Sequence, residues 1–85
     1  MTDKFGNELR PGSEIVYTAY GSNRLEAGIV VKLEGDTVFA MLANGDKNEV
    51  VVRKRLSKLT ATWRMMVVKL PVHIRGAFIM AGIKI

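Results

Sequence analysis

Few residues in this chain are placed to do chemistry, and the densest group is basic. Arg53, Lys54, Arg55 and Lys58 fall within the stretch RKRLSKL, and Arg64 follows shortly after. Cations at that spacing, with no acid among them, suit phosphate oxygens, because each neutralised phosphate releases condensed counterions on binding. Arg24 adds one cation far upstream. Tyr17, Tyr20 and Trp63 are aromatic faces available for base stacking, although core positions are the plainer expectation for them. A second account of the basic run is a strand end whose Lys and Arg face water and guard a sheet edge.

Other chemistry is poorly supplied. His73 is the only histidine and there is no cysteine, so no multi-ligand metal site is expected. Ser13, Ser22 and Ser57 lie outside any G-x-S-x-G pattern. The acids, Asp3 among them, fall mostly in turns or on strand faces, where solvation is the simple expectation. The glycines form no phosphate-binding fingerprint. The chain therefore reads as a binding module rather than an enzyme, with no cofactor. The lack of cysteine fits a reducing cytoplasm.

Charge divides the 85 residues sharply. Residues 1–52 carry a net −3 and residues 53–85 a net +8, with no acid in the latter. Such asymmetry favours an anionic partner. The opening MTDKFGNELRPG lacks the basic and apolar regions of a signal peptide. The last 21 residues are apolar but are interrupted by Lys69, His73, Arg75 and Lys84. A spanning helix needs about 20 apolar residues, so no transmembrane segment is expected. An interfacial segment over residues 71–85 is the remaining membrane alternative.

Short strands must position these groups. After the turn Pro11-Gly12, Ile15, Tyr17 and Ala19 alternate with Glu14, Val16, Thr18 and Tyr20, a strand period. The second strand is expected over 29–34, with Ile29, Val31 and Leu33 inward and Lys32 outward. A tight turn at Gly35-Asp36 leads to a third strand over 37–43. Asn44-Gly45 predicts a hairpin turn, and a fourth strand returns over 48–55. If that strand runs through the basic stretch, Arg53 and Arg55 share a face with Val51 and Lys54 shares the other with Val52. A fifth strand is expected over 62–70, before Pro71. The final segment reads as a short helix with Ile74, Ala77, Phe78 and Ala81 on one face, or as a strand kinked at Gly76.

The stretch RPGSEIVYTAYGSNRLEAGIVVKL resembles the KOW motif of SH3-like barrels through Pro11-Gly12, Ile15-Val16-Tyr17 and Gly28-Ile29-Val30. The opening DKFGNELRPGSEIVY also looks like that of short phage-encoded proteins. The first resemblance implies a small barrel reaching Leu59, contacts through the loop Gly21–Leu25, and nucleic acid, ribosomal or polymerase partners. In this chain that loop carries one basic residue, Arg24, close to Glu26.

The resulting expectation is a mostly β fold, a small SH3-like antiparallel barrel of about five strands. Residues 1–59 would form the barrel, and 60–85 a C-terminal strand and short helix, or an interface segment, on the same domain. The function expected is contact with nucleic acid, or with a transcription or translation complex, through Arg24, Arg53, Lys54, Arg55, Lys58 and Arg64. The alternative is a protein-interaction module in the cytoplasm, for instance a phage-encoded inhibitor of a host protein, or a homo-oligomer. It would use Met65, Met66, Phe78, Ile79 and Met80, since methionine suits adaptable interfaces.

Overall fold

A computed structural model describes residues 1–18, 25–46 and 49–83. It is mostly β: β1 (Glu14–Thr18), β2 (Leu25–Glu34), β3 (Thr37–Asp46), β4 (Glu49–Val52), β5 (Ser57–Leu59) and β6 (Met65–Val67), followed by one helix, α1 (Val72–Met80). A 3-10 turn, Thr62–Arg64, precedes β6. The antiparallel strands form one sheet in the order β4-β3-β2-β1-β6, with β5 also on β3. The meander thus returns its last strand beside its first, as a small barrel-like fold requires.

Both faces of the sheet are apolar, and each has its own cover. Ile15, Val30, Val38, Ala40, Leu42, Leu59 and Met65 fill the inside of the curled sheet together with Leu9. On the outer face Ala27, Ile29 and Ala43 pack with Leu70 and Phe78, and Phe78 brings α1 down onto the sheet. Gly28 lets Ile15 and Leu42 of the inner cluster close over β2. A Cβ there would lie 2.8 Å from Leu42 Cδ2, 3.2 Å from Ile15 Cγ1 and 3.3 Å from the Met41 carbonyl.

A bulge between Val30 and Lys32 resets the alternation of β2. Before it, Val30 faces the barrel interior and Ile29 the helix. After it, Leu33 packs inside and Lys32 turns outward. Val31, expected inward, is therefore exposed.

Several expected boundaries move. Asn44 and Gly45 do not form the hairpin turn; they lie within β3, opposite Val51 and Val50. The fourth strand ends at Val52 instead of running to residue 55. Within the stretch 62–70 only Met65–Val67 is strand, because a 3-10 turn takes the first three residues.

The helix after Pro71 forms as expected. The Pro71 carbonyl accepts from the N–H groups of Ile74 and Arg75. At its end Ile83 N–H donates to Phe78 and Gly82 N–H to Ile79, with Gly82 at φ +88°. This is a Schellman stop, and it draws Ile83 onto the same apolar cluster as Phe78.

The N-terminal segment seals β6. Lys4 N–H donates to the Met65 carbonyl, and Asp3 accepts at 2.7 Å from Val67 N–H. Asp3 also accepts from the backbone of Phe5 and Asn7 and from the Asn7 side-chain amide. Burial alone would raise this carboxyl; the four hydrogen bonds outweigh it and hold the group at about 2. Asp3 is thus a buried tie, not the solvated turn acid expected.

Candidate nucleic-acid interface

The basic run sits where the β3 edge changes partner. Ala43 pairs with Val52, and Ala40 pairs with Ser57. Two residues of β3 therefore face four, Arg53 to Leu56, and the surplus bends outward. Only Arg53 N–H keeps to the ladder, donating to the Leu42 carbonyl at 2.8 Å. All four residues of the excursion are exposed, and because β4 ends at Val52 the alternation expected of a strand running through the stretch does not apply to them.

The predicted cations have different surroundings. Arg53 forms an ion pair with the buried Glu26 of β2, so it is spoken for within the fold. Lys54 and Arg55 have no ion-pair partner among the described residues. Lys58 stands on β5 with its ammonium 6.0 Å from the Phe39 ring centre. Arg64 is half-buried on the 3-10 turn, where its carbonyl accepts from Thr18 Oγ1. Arg24, Tyr20 and most of the loop Gly21–Leu25 lie outside the described residues.

Two residues missed in the sequence join Lys58. Lys32, Phe39 and Lys58 are directly opposite one another on β2, β3 and β5. Lys32 also lies over the Phe39 ring, at 4.7 Å, and its ammonium is 3.6 Å from Glu34. The only sequence signal for this row was strand pairing, which cannot be read without the register. Beside it lies an open groove of about 530 Å³, lined by Pro11, Val31, Met41, Leu56 and Ile83 among others. Met41 and Phe39 share the outer face of β3, two residues apart, so groove and row adjoin.

Of the expected partner surface, Met65 and Phe78 are fully buried in the two cores and are not open to a partner. Their apolar chains serve β6 closure and helix docking. Met66 is half-buried, while Ile79 and Met80 are exposed along with Val72 on α1. Trp63 is exposed, and Tyr17 packs partly buried against the inner core.

Glu14 and Arg75 bind α1 to β1 through two hydrogen bonds of 2.8 and 2.6 Å. The Arg75 hydrogen bond holds the Glu14 carboxyl below its usual value against the opposing effect of burial, and Glu14 in turn raises Arg75. His73 is exposed on the first turn of α1. Among the described residues, no group of three His, Cys, Asp or Glu side chains could hold a metal ion. Among the same residues, no helix is long and apolar enough to cross a membrane.

The chain belongs to the family described as Domain of unknown function (DUF7205), whose model matches residues 1–68. That span takes in all six described strands and ends before α1. No curated protein and no solved structure matches the chain.

Proposed function

We propose that this domain is a non-enzymatic module that contacts nucleic acid, alone or within a transcription or translation complex, through Lys32, Lys54, Arg55 and Lys58. The observation that carries the reading is the outward bend of the β4–β5 connection, which exposes Lys54 and Arg55 with no neutralising acid among the described residues. A cation held by a buried carboxylate, as Arg53 is by Glu26, gains little from a phosphate; Lys54 and Arg55 have no such partner to exchange among the described residues, and the Glu34 beside Lys32 is itself exposed. The KOW-like stretch and the charge excess of residues 53–85 support the same partner class in a cytoplasmic setting, that of the host if the protein is phage-encoded.

The test is fluorescence anisotropy with mixed RNA and DNA oligonucleotides at about 50 and 200 mM salt. Binding should weaken steeply with salt. Changing Lys54, Arg55 and Lys58 together to Gln should flatten the logarithmic salt slope by about two units or more. Absence of binding at either salt would overturn the reading.

A second reading rests on a different observation. Val72, Ile79 and Met80 leave an exposed apolar strip on α1, with Met80 91% exposed. Such a strip suits a protein partner, a host protein or a second copy of this chain. This association would tolerate salt and fail on Met80→Asp, and sedimentation velocity across a concentration series would detect self-association.

A further inference from the structure

Phe39 occupies an unusual place for an aromatic residue in the middle of a sheet. It belongs to neither hydrophobic cluster of the described residues. Its neighbours on β3 face the other way, into the barrel, and α1 covers only the part of the outer face that includes Ala43. What lies over the Phe39 ring is a pair of lysine ammoniums, at 4.7 and 6.0 Å from its centre. Phe39 itself is half-buried, so part of its ring stays within reach of these hydrated ammoniums.

The fold goes to some length to produce this row. Without the bulge at Val31, Lys32 would share the barrel side with Val30; the bulge turns it onto the outer face opposite Phe39. The two surplus residues between β4 and β5 shift the register, so that Lys58 and not Leu56 stands opposite Phe39 from the other side. Two irregularities thus converge on one cation–aromatic–cation row across three neighbouring strands.

We infer that the row Lys32–Phe39–Lys58 seats one unpaired base of a single-stranded nucleic acid. The inference rests on the nucleic-acid reading above and narrows its substrate class. The base lies on the Phe39 ring, and the two ammoniums swing from the ring to the phosphates on either side of it. The exchange is favourable in each part: a weakly held lysine–ring contact gives way to a base–ring stack and two lysine–phosphate contacts. A duplex cannot use the row, because its bases already stack on one another and present only edges and backbone. The two lysines are not equivalent. Glu34 stands beside Lys32, whereas Lys58 has no acid partner among the described residues, so Lys58 is the stronger phosphate contact.

The test compares a ten-nucleotide oligo-dT with an abasic strand of the same length and with a duplex. The wild-type domain should bind oligo-dT about tenfold or more tighter than the abasic strand. Phe39→Leu should abolish that preference while leaving abasic binding unchanged, and Lys58→Gln should weaken both strands more than Lys32→Gln does. Should Phe39→Leu fail to fold, Phe39→Trp in a Trp63→Phe background supplies the readout: quenching by oligo-dT and none by the abasic strand. Salt-dependent binding that is equal for oligo-dT and abasic strand, or an indole reporter in the Phe39→Trp variant that oligo-dT leaves unquenched, would overturn the base seat and leave the phosphate reading standing. No binding to any of the three would overturn both.

Discussion

Arg53 donates from Nη2 to Oε1 of Glu26, a residue 27 positions upstream and two strands away. The Glu26 side chain is only 8% exposed, while that of Arg53 is 50% exposed. Glu26 shares its face of β2 with Val30, the barrel side, so the half-exposed Arg53 reaches back to the fold, while its neighbours Lys54 and Arg55 make no such contact among the described residues. One basic run therefore contains a structural cation, Arg53, and three, Lys54, Arg55 and Lys58, that no acid among the described residues holds.

This division separates stability from binding. Arg53→Gln strips a buried carboxylate of its partner and should cost about 1–2 kcal/mol in urea unfolding, with the salt slope of nucleic-acid binding unchanged. Lys54→Gln and Arg55→Gln should each leave stability within about 0.5 kcal/mol while reducing the slope by about one unit. A reversed pattern would place Arg53 in the interface.

Asp3 gives the fold an acid-sensitive latch. Its carboxyl sits at about 2 in the folded protein against an ordinary 3.8. Because the folded value is the lower one, the contribution is complete above about pH 4 and disappears as pH falls through 2. Asp3→Ala should lower stability at pH 7 by about 3 kcal/mol, through the loss of charge-assisted hydrogen bonds to Phe5, Asn7 and Val67. It should also flatten the acid limb between pH 4 and 2, and urea titrations across that range would show whether it does.

These relationships differ in how far the chain announces them. The alternation around Ile15 and Val16 exposes its strand directly, and Pro71 marks the start of α1, because both signals are local. Gly82 was equally local as a helix stop but counts only once a helix is placed before it. The bulge at Val31 leaves no mark in IVVKLE, a run without glycine or proline. Asn44-Gly45 carries the usual turn chemistry, yet the ladder to Val50 and Val51 continues through it, since strand pairing overrides dipeptide preference. The pairing of Glu26 with Arg53, and the row through Phe39, depend on register between distant strands. No single-residue pattern encodes that register.

Gly28 should be intolerant of the smallest side chain. A methyl group would press on Leu42, Ile15 and the Met41 carbonyl together. Leu42 and Ile15 are themselves closed in the core, so neither has room to give way. Gly28→Ala should cost about 1–3 kcal/mol by overpacking, measured by urea denaturation. Stability equal to wild type would mean that Leu42 and Ile15 can give way around position 28.

The helix makes the sharpest claim on stability. Phe78 has no exposure at all and packs with Leu70, Ala27, Ile29 and Ala43, whereas Met80, two residues later, is almost wholly in water. Removing the Phe78 ring opens a cavity over the outer sheet face, and Phe78→Ala should cost about 3–5 kcal/mol. That is a large part of the total for a domain of this size. Met80→Ala should change stability by less than about 0.5 kcal/mol. If α1 is integral to the fold, urea unfolding of the Phe78 variant followed by far-UV circular dichroism and by Trp63 fluorescence will move to lower midpoint together. A helix merely appended to the barrel would instead lose ellipticity alone, with the tryptophan transition left in place.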